Sequence, residues 1–268
     1  MRKTLRAAGA LLLLAPWLAL AAPAAKPPAA PDPLDSARWE DMRRQLFADA
    51  PVAFDARIKV SAPSMAENPL NVPITVDATA LARDVPGSVR EILVFADFNP
   101  IIQILRFYPG QATPFLGFRV KLQQSTPLRA AVRGDDGVWR VGGAWVNTTG
   151  GGCTAPSVGS ASPEWQRRLG EVSGRLFARA TDGGQGQERV RLRIVHPMDT
   201  GLVGGIPAFF IQELVLRDGQ GRDLMRIEPN EPVSENPVFT VDLAGNDTRR
   251  IQVSGRDNNG NLIQAWLE

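Results

Sequence analysis

Leu128-Arg129-Ala130-Ala131-Val132-Arg133-Gly134-Asp135-Asp136-Gly137-Val138-Trp139-Arg140-Val141-Gly142-Gly143-Ala144-Trp145-Val146 is two apolar-rich runs joined through an Asp-Gly pair. Asp-Gly is the short-range signature of a tight hairpin, because glycine reaches the left-handed backbone that such turns require. The stretch therefore predicts two antiparallel strands, 128–133 and 138–146. Working outward, the runs 57–60, 72–78, 89–95, 101–107 and 115–122 share its texture. They are rich in Val, Ile and Phe and punctuated by Pro, Gly, Asn or Asp. Short strands at this spacing fit a β-sandwich of immunoglobulin type, here without that fold's disulfide, since the chain has one Cys.

A second set of runs repeats the texture but not the sequence: 189–195, 209–217, 223–227, 238–243, 249–254 and 261–267, with 176–180 as an additional first strand. Asp218-Gly219-Gln220-Gly221 and Asn258-Asn259-Gly260 are turn signals between neighbours. The expected fold is all-β, two immunoglobulin-like β-sandwiches in tandem over residues 34–153 and 174–268. Each should own its strands and pack against the other. Residues 34–47 predict a short helix, capped by Asp35 or Ser36, whose Trp39, Met42 and Leu46 face docks on the first sandwich. Residues 154–173 form a helical and loop linker. There Ser162-Pro163-Glu164-Trp165 reads as a helix start with Pro in first position, and Trp165, Leu169 and Val172 as its apolar stripe. Residues 181–187, with three glycines, read as a turn.

Residues 1–21 read as a Sec-type signal peptide: Arg2, Lys3 and Arg6, then an apolar core from Leu11 to Leu20, then Ala19-Leu20-Ala21 at the cleavage site. A Pro/Ala linker, extended and without fixed structure, is expected over residues 22–33. The expected product is exported to the periplasm, soluble, with no membrane span and no lipid anchor. Removing the signal takes three of the 30 basic residues and leaves 27 against 28 acidic ones. No basic block survives to suggest nucleic acid. About 245 mature residues can build two cores without disulfide staples.

That single thiol is Cys153, in Asn147-Thr148-Thr149-Gly150-Gly151-Gly152-Cys153-Thr154-Ala155-Pro156-Ser157. A cysteine kept for packing usually sits in an apolar run, whereas this one follows three glycines and precedes small residues. The expectation is a mobile, accessible arm, with an incidental surface cysteine as the bland alternative. No Lys, Arg or His lies within five residues to activate the thiol, which should stay near its ordinary pKa of about 8.5. One His and one Cys cannot make a closed zinc site without carboxylates. His196, before Pro197, reads as a structural strand-end histidine, and no nucleophile elbow, phosphate loop or dinucleotide fingerprint appears. No cofactor, metal or catalytic residue is expected, and the chain does not read as an enzyme.

The first half resembles SoxY, the sulfur-carrying subunit of the periplasmic SoxYZ complex. Its resemblance lies in Ala66-Glu67-Asn68, Val72-Pro73-Ile74-Thr75-Val76, Val94-Phe95-Ala96-Asp97-Phe98-Asn99-Pro100 and the closing Gly151-Gly152-Cys153. The second half resembles SoxZ in His196-Pro197-Met198-Asp199-Thr200-Gly201 and Phe210-Ile211-Gln212-Glu213. The resemblance implies that Cys153 is the covalent attachment point for a sulfur intermediate and Gly150, Gly151 and Gly152 its carrier arm. It implies no catalytic role for His196 or Asp199. Two departures are plain: Thr154 stands where a glycine is usual, and the chain continues, so the arm is tethered at both ends. Fused chains of this kind resemble those of quinoprotein alcohol dehydrogenase systems. The expected partners are periplasmic redox enzymes of a Sox-like or quinoprotein dehydrogenase system. A non-catalytic binding or scaffold module would instead tolerate Cys153→Ser, and a redox sensor would need a resolving thiol that the chain lacks.

Overall fold

A computed structural model describes residues 31–157, 163–179, 187–244 and 250–268. Residues 1–21, expected to be a signal peptide, and most of the Pro/Ala segment lie outside the described residues. From Pro31 to Glu268 the chain is one compact unit. Its first half runs α1 (Trp39–Phe47), β1 (Val52–Phe54), β2 (Lys59–Ser61), β3 (Met65–Ala66), β4 (Val72–Asp77), α2 (Thr79–Asp84), β5 (Glu91–Ala96), β6 (Gln103–Tyr108), β7 (Ala112–Val120), β8 (Thr126–Arg133) and β9 (Trp139–Thr148). A single 3-10 turn (Gly152–Thr154) and α3 (Pro163–Arg167) lead to the second half. That half comprises β10 (Val172–Arg179), β11 (Gln187–Ile194), β12 (Ile211–Arg217), β13 (Asp223–Pro229), β14 (Val238–Ala244), β15 (Ile251–Asp257) and β16 (Leu262–Leu267). The fold is all-β, as expected. Val172 opens β10 and so belongs to a strand, not to the stripe of α3.

Each half has two layers, but the layers do not close within the half. One sheet runs β1-β9-β8-β5-β6-β13-β12-β15-β16, with β3 beside β9, and the other runs β10-β11-β14-β7-β4-β2. The halves join in both: β6 pairs antiparallel with β13 (Phe107 opposite Ile227), and β7 with β14 (Leu116 opposite Val241). Each half carries its own strands, and the two sandwiches meet edge to edge through both sheets. The reason is physical. An edge strand offers a row of unpaired N–H and C=O groups, and β6 and β7 also carry Leu105, Phe107, Leu116 and Phe118. Edge-to-edge pairing satisfies the backbone and buries these side chains together with Leu192, Ile227 and Phe239 in one continuous core.

All six side chains of β5 are buried. One face of the strand lines that core. The other carries Leu93 and Phe95, which with Ala131, Trp139 and Val141 receive Trp39, Met42 and Phe47 of α1. The helix docks as predicted, although Phe47 is its third fully buried residue and Leu46 only packs at the rim. Neither Asp35 nor Ser36 caps it; Arg38 occupies the N-cap without a side-chain bond. The segment ahead of it is held instead by Asp32, which accepts N–H bonds from Leu34 (3.2 Å) and Ser36 (2.8 Å). Asp32 and Asp97 together enclose the guanidinium of Arg129, at 2.7–3.2 Å, and Arg129 lies 4.6 Å over the Trp39 ring. Asp32, within the stretch expected to be a linker, is therefore held by the first sandwich.

Candidate functional site

The loop after β9 lies against the connection between β7 and β8. Gly150 and Gly151 take left-handed φ values of +84° and +87°, which L side chains rarely adopt. A Cβ on Gly150 would stand 2.6 Å from the Gln123 carbonyl oxygen, and one on Gly152 would stand 2.2 Å from that of Pro69. Gly151 and Gly152 donate their N–H groups to the carbonyls of Gln123 (2.9 Å) and Leu122 (3.0 Å). The glycines thus permit close approach rather than free swing.

Cys153 is consequently not on an accessible arm. It sits in the 3-10 turn with 0 % of its surface exposed, its Sγ 3.6 Å from the Lys121 carbonyl oxygen as a weak donor. The expected accessibility of the thiol is overturned, and residues 158–160 of the expected Gly150–Ser160 arm lie outside the described residues. Local sequence could not reveal this, because part of what holds the turn comes from the second half of the chain.

These contacts come from His196-Pro197-Met198-Asp199-Thr200-Gly201, within the link between β11 and β12. Thr200 Oγ1 donates to the Cys153 carbonyl at 2.7 Å. Asp199 Oδ1 accepts the Ser157 N–H at 3.2 Å, and the Met198 carbonyl accepts a bond from Lys121 Nζ. Met198 has a left-handed φ of +52°, a conformation that costs a non-glycine residue about 1–2 kcal/mol. It is held there by its N–H to His196 Nδ1 (3.1 Å) and by the Ile211 N–H to its sulfur (3.4 Å). With Nδ1 accepting, Nε2 of His196 carries the proton and faces Asp257 Oδ2 at 3.4 Å. His196 is therefore structural, as expected. Asp199 and Thr200 do more than mark a fold: they grip the backbone around the thiol. Lys121, Asp199 and Thr200 are the site residues missed by sequence reasoning. The one available signal was that polar residues crowd the His196–Gly201 loop without a turn requiring them.

Burial pushes the Cys153 thiol up to about 11, against the pull of the nearby Lys121 charge. Burial also pushes the Lys121 ammonium down to about 8, although Asp199, Cys153, Glu235 and Glu231 favour its charged form. His196 is held down to about 4, again by burial, with Asp257 and Asp199 opposing and Lys121 reinforcing. Compared with an unburied thiol near 9, the Cys153 thiolate is suppressed by about a hundredfold at neutral pH. In this position the sulfur is stored, not activated. Among the described residues no group of three His, Cys, Asp or Glu side chains could hold a metal ion.

The geometry is that of a double β-sandwich whose two halves share both sheets and whose one thiol is buried in a turn bonded to a loop from the opposite half. Residues 43–153 match the family model described as sulfur oxidation protein SoxY, ending on Cys153, and residues 178–265 match that described as sulphur oxidation protein SoxZ. The chain is a SoxY-family domain followed by a SoxZ-family domain in one polypeptide. Among solved structures it is similar to the sulfur carrier protein SoxY from Chlorobium limicola f thiosulfatophilum. That similarity is at 21% identity and TM-score 0.35, over 42% of this chain and 96% of that one. A tetra-tandem repeat from the extending region of a large adhesion protein matches at 12% identity and TM-score 0.26, over 78% of this chain and 47% of that one. No curated protein matches it.

Proposed function

We propose that this protein is a covalent carrier that holds a sulfur-containing intermediate on Cys153 and presents it to partner enzymes. The supporting observation is the placement of its single thiol. It closes the SoxY-matching region, follows the left-handed Gly150-Gly151 turn, and is retained by a few backbone hydrogen bonds rather than by a bulky side chain. The buried position is then the stowed state. Breaking the Thr200 and Asp199 contacts together with the Gly151 and Gly152 N–H bonds would bring the sulfur out and return its pKa to the ordinary range. Loading follows by exchange. The released thiolate attacks a sulfur–sulfur bond, a new bond forms to Sγ, and the displaced sulfur leaves as a thiolate with the bonding pair. In this reading the chain is exported to the periplasm and serves redox enzymes of a sulfur-oxidising or quinoprotein dehydrogenase system. The protein itself supplies no catalytic group.

The raised thiol pKa favours a second reading, a binding or scaffold module in which Cys153 only fills space in its turn. Intact mass of the protein purified from its host, grown on reduced sulfur compounds, separates the two. A carrier shows an adduct on Cys153 that Cys153→Ala lacks, and the alanine variant loses sulfur oxidation while still folding. An unmodified thiol together with full oxidation by the alanine variant would sink the carrier reading.

A further inference from the structure

Beside the stowed arm lies a cavity of about 470 Å³ that both halves build. Arg119 and Lys121 come from the first half, Arg191, Arg193 and Glu235 from the second, and the arm itself supplies Ala155, Pro156 and Ser157. The pleat explains why the arginines converge. On β11 the side chains of Val190, Leu192 and Ile194 enter the core, so Arg191 and Arg193 point outward. On β7 Leu116, Phe118 and Val120 enter the core, so Arg119 points outward as well. The register sets Arg191 opposite Thr240 and Arg193 opposite Val238 on β14, while Thr240 faces the bare backbone of Gly117. Small and short residues thus floor a trough between arginines on two strands from different halves.

The carboxylate in this lining, Glu235, acts on Lys121 and is not ion-paired with the three arginines. Among the described residues, Arg119, Arg191 and Arg193 form no ion pair, whereas Arg189, one pleat away, is bonded to Asp242 at 2.7 Å. Arg193 exerts only a longer-range pull on Glu171. The depression continues past Arg191 and Val238 into two shallower ones, of about 430 and 200 Å³, lined by Arg175 and by Arg119 respectively. Guanidinium forks without carboxylate partners, around a cavity of small-molecule size, suit a tetrahedral oxyanion bound bidentately.

We infer that this cavity is a binding site for a small oxyanion, a sulfonate- or sulfate-type group held by Arg119, Arg191 and Arg193. The ligand is either a free solute or the terminus of a group borne on Cys153. The second source rests on the carrier reading; the site does not.

The test uses the full mature chain carrying Cys153→Ala, titrated calorimetrically with sodium sulfate at low ionic strength. Saturable one-site binding is expected, weakened roughly tenfold or more by Arg119→Gln or Arg191→Gln, because each removes a charge-assisted contact. Arg250→Gln, which alters a guanidinium near Glu268 instead, should leave the affinity unchanged. Absence of saturable binding, or equal affinity in all three variants, overturns the site. The source is read separately on the Cys-containing chain loaded with tetrathionate. In that reaction the thiolate displaces thiosulfate and leaves a thiosulfonate on Sγ. Loss of sulfate binding on loading places the tethered sulfonate in the cavity. Unchanged sulfate binding supports the site for a free anion and separates it from the carrier's cargo.

Discussion

Removing the Thr200 hydroxyl should open the thiol by a calculable factor. Thr200 Oγ1 donates to the buried Cys153 carbonyl at 2.7 Å and also accepts the Leu202 N–H at 3.2 Å. In Thr200→Val the shape is kept, but that carbonyl loses its donor in the stowed state while water still serves it in the open one. An unsatisfied buried acceptor costs about 1–3 kcal/mol, so the open population should rise roughly 5- to 150-fold. Iodoacetamide consumption, followed by mass at a fixed pH, reads that population directly when closing outpaces alkylation. Thr200→Ser should return the rate close to that of the parent. The pH profile adds a second reading. Reaction through the open state should rise with a pKa near the ordinary thiol value, whereas reaction in place would follow the stowed thiol at about 11. A Thr200→Val chain that folds normally yet alkylates at the parent rate would refute the claim that this contact holds the arm.

Gly152→Ala should expel the turn, since its Cβ would lie 2.2 Å from the Pro69 carbonyl oxygen; alkylation of Cys153 should accelerate by at least the Thr200→Val factor, with circular dichroism unchanged. His196 is depressed in the fold to about 4 from 6.5, so the unfolded chain binds the extra proton first. Stability from this group is therefore complete above about 6.5 and lost as pH falls toward 4, on the order of 3 kcal/mol; denaturant midpoints of His196→Gln should show a flatter acid limb. Arg129→Leu leaves Asp97 and Asp32 buried without their cation. A loss of about 3–5 kcal/mol is expected in urea unfolding, and removing one of the two stranded charges with Asp97→Asn should recover part of it.

The strands and turns were legible because their signals are local. The Asp135-Asp136-Gly137 hairpin appears as read, with Gly137 at φ +70° and Val138 N–H bonded to Asp136 Oδ1. The strand predicted at 72–78 is β4, at Val72–Asp77. Short elements such as β1, β3 and α2 escaped, since two, three or six residues carry no usable period. The sharing of both sheets was not legible either, because an edge strand and an interior one can carry the same apolar alternation. Cys153 shows the deeper limit. Three glycines beside a thiol look alike whether the backbone needs freedom or needs to lie within 3 Å of another chain segment. Only Pro69, Leu122 and Thr200, distant in sequence, distinguish the two.

The β6–β13 and β7–β14 pairings carry one more consequence. Were the two halves separate molecules, the same seam would be a bimolecular equilibrium, sensitive to dilution and to unequal synthesis of the partners. One polypeptide replaces that equilibrium with an effective concentration set by the covalent connection between Ser157 and Val172, on the order of millimolar. The loop that holds the Cys153 turn is therefore always supplied by the same molecule, at one copy per thiol, however scarce the protein becomes. Severing the connection would make shielding of the sulfur depend on protein concentration, which it does not in the intact chain.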